Sequence, residues 1–298
     1  MPKSLLQRIF LTALVIVAAF PLTVAQTSRR IRVAVLDFGD TQTGLRVTDK
    51  LVQAISLGGE FQVIDRDQAG AAVRGTDYRG SLNMSVEDAR DLGAAIGCDF
   101  FFTGEAQTLR RSSSETPAYF ETYAAVYLVS ARTGRLASWH RLSVKRPQPT
   151  EAEKALLDEL AAQGFIDGEK QSMRRAVDEE RAERAHAIES GAPVIEVMSE
   201  DKVDNQTGTR PPRPYRRLKP AYPETAALSE VEATVDILVD VDEKGEVART
   251  EIARWAGYCL DQSVLDTVKQ LHFFPAMRDG AAVPMRVLLR YNFRKPPK

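Results

Sequence analysis

The sequence predicts an α+β protein, with a mixed-sheet unit toward the N-terminus and a small β-β-α-β unit at the C-terminus. Three observations carry this. Between Ile31 and Val144, β-branched runs alternate with segments of helical period. From Asp167 to Arg217 the chain is first densely charged, then proline-rich and poor in large apolar residues. From Val231 to Phe293, strands of period two frame a turn and one amphipathic helix.

At the N-terminus, Lys3 and Arg8 form a positive region ahead of an apolar run from Ile9 to Phe20, and Thr23-Val24-Ala25 is a small-residue pattern before Gln26. These are the parts of a secretory signal peptide. Residues 1–25 are therefore expected to be a signal peptide or a retained membrane anchor. The run to Ala25 falls just short of the ~20 residues a spanning helix needs, and Pro21 interrupts it. No cysteine lies near Ala25, which argues against lipoprotein anchoring there.

The 298 residues carry a net charge of −1, and 44% are hydrophobic. That length allows two domains, each with its own core. A near-neutral balance gives no support for nucleic acid binding through counterion release. Cys98 and Cys259 fall in different units. Export permits a disulfide, but two buried free thiols are the simpler expectation.

Ile31 to Phe38 is a β-branched run stopped by Gly39 and reads as a buried strand. Val47, Leu51, Ala54 and Ile55 recur at helical spacing up to Gly58-Gly59, and Phe61 to Asp65 is the next strand. Ser85 and Asp88 have the spacing of a capping box, opening a helix with Val86, Ala89, Leu92 and Ile96 on one face and Gly97 as its stop. Asp99 to Gly104 is a strand rich in phenylalanine. Tyr119–Val129 and Leu136–Val144 form a hairpin around Thr133-Gly134. The expected result is a mixed sheet covered by helices, an α/β sandwich over residues 29–147.

Thr150 and Glu153 repeat the capping-box spacing, ahead of a helix with Ala152, Leu156 and Leu160 that should stop at Gly164. From Asp167 to Glu189, charges of both signs at i, i+3 and i, i+4 positions predict a solvated helix. Residues 148–190 thus read as a charged helical segment. Residues 191–218 read as a linker, with Arg210-Pro-Pro-Arg-Pro-Tyr-Arg-Arg as an extended polyproline-type stretch.

In the last unit, residues 219–295, Val231, Ala233, Val235, Ile237, Val239 and Val241 alternate with Glu232, Thr234, Asp236, Leu238 and Asp240. Asp242-Glu243-Lys244-Gly245 is a turn leading into Val247–Ile252. Leu260, Val264, Val268 and Leu271 share a helix face. The final strand puts Met285, Val287, Leu289, Tyr291 and Phe293 on one side, and Arg286, Leu288, Arg290, Asn292 and Arg294 on the other. One helix on a three-stranded antiparallel sheet buries that apolar face.

In this order, with Pro220-Ala-Tyr-Pro-Glu-Thr-Ala before the first strand and Phe273-Phe-Pro-Ala before the last, these elements resemble the C-terminal periplasmic domain of the TonB family of energy transducers. The resemblance implies a periplasmic location, or an inner-membrane anchor facing the periplasm. It also implies that the last strand pairs with an extended segment of an outer-membrane transporter. The physical basis would be strand addition at an open sheet edge. The residues it assigns to partner binding are Tyr222, Pro223, Arg286, Arg290 and Asn292. Arg286, Arg290 and Arg294 suit two roles equally: guarding an exposed edge or meeting acidic side chains of a guest. The family implies an ExbB–ExbD type motor as a further partner, coupled through an anchor histidine. No histidine stands in the N-terminal apolar segment here, and Ala221 replaces the polar residue that precedes Tyr-Pro in TonB.

The first unit resembles the periplasmic domain of the CsgG family of secretion proteins and, in form, the N-terminal domain of TolB. The likeness rests on Val33-Ala-Val-Leu-Asp-Phe38, Phe61-Gln-Val-Ile-Asp-Arg66, Leu92-Gly93 to Gly97-Cys-Asp99, Thr103-Gly104 and Ala131-Arg-Thr-Gly134. It implies the fold alone. The lipidation cysteine is missing, and Gln107–Pro117 is too short and polar for a membrane hairpin.

No paired metal spacing, phosphate loop or nucleophile elbow is present, and Asp37 and Asp65 lack a base, nucleophile or metal partner nearby. The expectation is a protein that is not an enzyme and uses no cofactor or metal. It would be a TonB-family cell-envelope protein that binds transporter segments and supports energy-dependent transport. The alternative is a periplasmic secretion or envelope-assembly scaffold built on the CsgG-like unit, without energy coupling.

Overall fold

The computed structural model describes residues 30–57, 59–112, 118–190, 197–199 and 209–295. The expected signal segment lies outside them, and no described helix is long and apolar enough to cross a membrane.

The chain opens with β1 (Ile31–Val35), α1 (Gln42–Ser56), β2 (Phe61–Val63), α2 (Arg66–Arg74), α3 (Val86–Ile96), β3 (Phe100–Arg111), β4 (Tyr119–Ser130) and β5 (Leu136–Arg146). These strands form one mixed sheet in the order β2-β1-β3-β4-β5. β1 runs parallel to β2 and β3, and the β3-β4-β5 meander is antiparallel. Helix starts follow local chemistry. Thr41 caps α1 by accepting from the Gly44 amide, and Asp65 caps α2 by accepting from Asp67 and Gln68. The Ser85–Asp88 capping box forms as read, and Gly97 ends α3 at φ 74°. Helix α2 gives a weak signal in the sequence, because its apolar stripe of Ala69, Ala72 and Val73 is short and made of small residues, and only Ala69 is fully buried.

Next come α4 (Pro149–Leu160) and α5 (Gln163–Ser190). The Thr150–Glu153 box does not form. Pro149 occupies the first helical position behind Gln148, no side chain caps the helix, and Glu153 pairs with Arg46 instead. Helix α4 stops at Leu160, and Gly164 lies inside α5. Nor is α5 a solvated spacer. It buries Ile166, Glu169, Ser172 and Met173, and Arg135 and Arg132 draw Glu183 and Glu180 toward the β4–β5 turn at 2.8 and 3.5 Å. Arg46 and Glu60 each lie more than a hundred positions from the groups they meet on α4 and α5, and such pairings leave no local pattern to read.

Beyond α5 lie β6 (Val197–Ser199), β7 (Thr209–Arg210), β8 (Arg213–Pro214), α6 (Glu224–Leu228), β9 (Ala233–Val241), β10 (Val247–Arg254), α7 (Leu260–Val268), β11 (Phe273–Phe274), β12 (Ala276–Arg278), β13 (Ala281–Val283) and β14 (Met285–Phe293). The second sheet has the order β10-β9-β14-β6. Its hairpin turns at Gly245, φ 83°, where Asp242 accepts from the Lys244 and Glu246 amides. Leu260, Val264 and Val268 of α7 close the apolar face. The proline-rich stretch is not free chain from Thr209 onward. β7 pairs with β12 and β8 with β11, while Pro211 and Pro212 are buried. Both thiols are free, but the expected burial fails for Cys259, which is exposed. Cys98 is partly buried, and desolvation pushes its pKa up to about 12.

Two cores occupy the two faces of the first sheet. Val33, Val35, Phe100, Phe102, Val126 and Leu128 pack against α1, α4 and α5. Ala34, Phe101, Tyr127 and Val129 face α3 and then continue, without a break, into Trp255, Ala256, Tyr258, Val235 and Val264 of the second unit. The seam is also hydrogen-bonded. The Asn83 side chain donates to Thr234 and Trp255 carbonyls at 2.8 and 2.7 Å and accepts from the Thr234 amide at 3.0 Å. Trp255 donates its amide to Met84 and its indole to Gly134. Tyr127 donates to the Ala256 carbonyl, and Tyr258 to Glu105 at 2.9 Å. Gly257, at φ 73°, leaves room for this contact. A Cβ there would lie 2.7 Å from the Tyr127 ring and 2.8 Å from Trp139.

Candidate functional site

The last strand lies between β9 and the short β6, which ends the second sheet on that side, while β10 forms the opposite edge. β14 is antiparallel to β9 through all nine positions, from Met285↔Val241 to Phe293↔Ala233. Its other side carries β6, which is parallel and covers Arg286–Leu288 only. That border is therefore partly taken by the protein's own chain, which corrects the expectation of an open edge. Among the described residues, no named strand pairs that side from Leu289 to Phe293. A groove of about 670 Å³ runs along this part of the strand. Leu218, Tyr222, Leu271, Leu289 and Phe293 give it apolar walls. Its charged lining is wholly basic: Arg217, Lys219, Arg290, Arg294 and Lys295.

The Tyr-Pro corner stands at the far end of this groove. The half-buried Tyr222 hydroxyl donates to the Val231 carbonyl at 2.6 Å, and its ring centroid lies 6.3 Å from that of Phe293. Pro223 sits at the N-cap of α6 in extended backbone, φ −65° and ψ 151°, its ring fixing the φ. Ser263 of α7 donates to the Ala221 carbonyl, and Thr225 to that of Tyr258, fixing the corner to the rest of the unit.

The arginines are placed differently from one another and from Asn292. Arg286 and Asp240 are direct cross-strand partners joined by a fork, at 2.5 and 2.8 Å. Arg290 does the same with Asp236, at 2.7 and 2.9 Å. Hydrogen bonding to these carboxylates raises both guanidinium pKa values. The forks of Arg286 and Arg290 are thus spent within the sheet, and Arg286 lies beside β6. Asn292 is exposed, accepts from Thr234 at 2.8 Å, and lines the groove with Tyr222 and Arg290. The sequence pattern does not assign Leu218, Lys219 or β6 to the site, and it puts Leu271 on the helix face, whereas α7 ends at Val268 and Leu271 lines the groove. For β6 a signal existed: Val194-Ile195-Glu196-Val197-Met198 is an apolar cluster in an otherwise polar stretch.

Among the described residues, no group of His, Cys, Asp and Glu could hold a metal ion. The perturbed acid nearest the seam is Asp261. Burial pushes its pKa up to about 6, against the opposing effect of the Ala256 and Gly257 amides that it accepts at 2.9 and 2.8 Å. That arrangement tethers a loop and offers no nucleophile.

The second sheet thus joins a border strand that takes up a short segment of its own chain to an apolar groove with basic walls. Residues 219–294 match the family model described as the C-terminal region of Gram-negative bacterial TonB proteins. The match supports a TonB-family reading for this quarter of the chain. Among solved structures, the chain is similar to the TonB C-terminal domain of Pseudomonas aeruginosa, with 19% identity over 34% of this chain and 96% of that one, TM-score 0.27. It is also similar to a hypothetical protein of Chlamydia trachomatis, with 13% identity over 46% and 98% of the two chains, TM-score 0.33. A third is the LpoB C-terminal domain of Salmonella enterica, with 15% identity over 39% and 84%, TM-score 0.29. No curated protein matches the chain.

Proposed function

We propose that this chain is a TonB-family cell-envelope protein that binds an extended segment of an outer-membrane transporter by strand addition along β14, in support of energy-dependent transport. One observation supports it above the others. In a region matching the TonB C-terminal family, the border strand takes up a parallel strand over Arg286–Leu288 and continues beside a groove flanked by Tyr222. Main-chain bonds would supply affinity there, and alternate side chains would supply selectivity. Tyr222 and Asn292 then line the groove, Pro223 sets the backbone of the corner beside it, and Arg286 and Arg290 hold the border strand to β9. Of the basic lining residues, Arg290 already pairs with Asp236 and Lys295 with Glu230, so main-chain pairing and the apolar walls support the reading more than charge does. On this reading the protein is a binding module in the periplasm, and its first unit is a CsgG/TolB-like base for the second.

A photo-cross-linker replacing Asn292 tests the reading in cells importing through such transporters, with Arg249 on β10 as the control position. Cross-links from position 292 to the periplasmic segment of a transporter, and none from 249, are expected. Recovery of no transporter from position 292 during active uptake overturns it.

A further inference from the structure

We propose that β6 is the resting occupant of the acceptor edge, so that a partner strand binds β14 by displacing a piece of the protein's own chain. This inference rests on the strand-acceptor reading above and concerns the control of that site. Three features carry it. First, Val197, Met198 and Ser199 are in parallel register with Arg286, Val287 and Leu288, on the side of β14 away from β9. They hold the backbone groups that a guest strand lying along Arg286–Phe293 would need.

Second, the pairing is short. β9 holds β14 through nine positions and β6 through three. A strand of that length at a sheet border adds few bonds and does not persist without help. Third, help is present, because both ends are tied to folded structure. Helix α5, held to the first sheet by Arg135–Glu183, ends at Ser190 shortly before β6. Strand β7, paired with β12, begins at Thr209 shortly after it. A weak strand on two short tethers has a high local concentration at the edge, in the millimolar range for short linkers. It therefore stays in place until a better-fitting strand competes. The apparent affinity for a guest falls by the fraction of molecules whose edge is free. Protection of the edge against random pairing follows from the same arrangement.

The test uses the full chain and, as probe, a fluorescent peptide with the sequence of its own residues 194–200, because β6 lies within that segment. Two variants are compared with the unaltered protein: Met198→Pro, and Val197→Pro combined with Ser199→Pro. Alternate residues of a strand direct their backbone groups to one neighbour, so one variant removes the donors facing β14 and the other removes those facing away. The expected result is that one of the two binds the peptide about 5- to 20-fold more tightly than the unaltered chain, and that the same variant loses amide-exchange protection at Arg286–Leu288. Equal peptide affinity in all three proteins, with protection unchanged, overturns self-occupancy and leaves strand acceptance standing. Loss of protection with no peptide binding to any form overturns strand acceptance, and the regulatory role with it.

Discussion

Asn83 completes the ladder of β9 where β10 runs out. Its side chain meets both backbone groups of Thr234 and the carbonyl of Trp255 across the seam. Asn83→Ala removes three hydrogen bonds and leaves an amide and two carbonyls in a partly buried position. A loss of about 1–3 kcal/mol of unfolding free energy is expected in urea titration. Asp261 makes a second prediction, on pH. Its folded pKa of about 6 lies above the ordinary carboxyl value of 3.8, so between those values the native state holds more protons than the unfolded one. The stability this group contributes is full below about pH 4 and is lost as pH rises through about 6. Asp261→Asn abolishes that dependence. The stability of the unaltered protein relative to the variant should therefore fall by about 2 kcal/mol from pH 4 to pH 7. A constant difference across that range would contradict the burial of the carboxyl.

At the scale of elements, legibility tracked how local the cause was. The α3 capping box, the Gly97 stop and the Gly245 turn depend on residues a few positions apart, and each stands where the spacing placed it. The same spacing at Thr150–Glu153 misled, because Arg46, over a hundred positions away, claims the glutamate and Pro149 starts the helix without it. Strands β7 and β8 were illegible for a related reason. Prolines in an exposed-looking basic stretch give no sign of the residues that later pair with them. Of the candidate site, the Tyr222 corner and the alternation of β14 could be read. The partners of Arg286 and Arg290 could not, although they follow once the β9–β14 register is known. That register makes its own prediction. In a double-mutant cycle, Arg286→Ala and Asp240→Ala should couple by about 0.5–1 kcal/mol, the range of cross-strand pairs open to solvent on one side. Arg286→Ala with Asp236→Ala should show none.

For the whole molecule, the continuous core from Phe101 and Tyr127 to Trp255 and Val235 makes the two sheets one thermodynamic unit. A charged helix and a proline-rich stretch suggest separable beads. The structure instead folds the helix onto one sheet and stitches the stretch into the other. Calorimetry and far-ultraviolet circular dichroism should accordingly report a single transition. Trp255→Ala, which empties the largest side chain of the seam, should cost about 3–5 kcal/mol and resolve two transitions. Two transitions in the unaltered chain would show that the seam is weaker than its packing indicates.

Both tryptophans of the chain, Trp139 and Trp255, stand within this seam, in an aromatic cluster with Tyr127 and Tyr258 whose ring centroids are 4.9 to 6.4 Å apart. The indole emission of the protein therefore originates where its halves meet. Water reaching those rings would register optically, as a red shift of that emission.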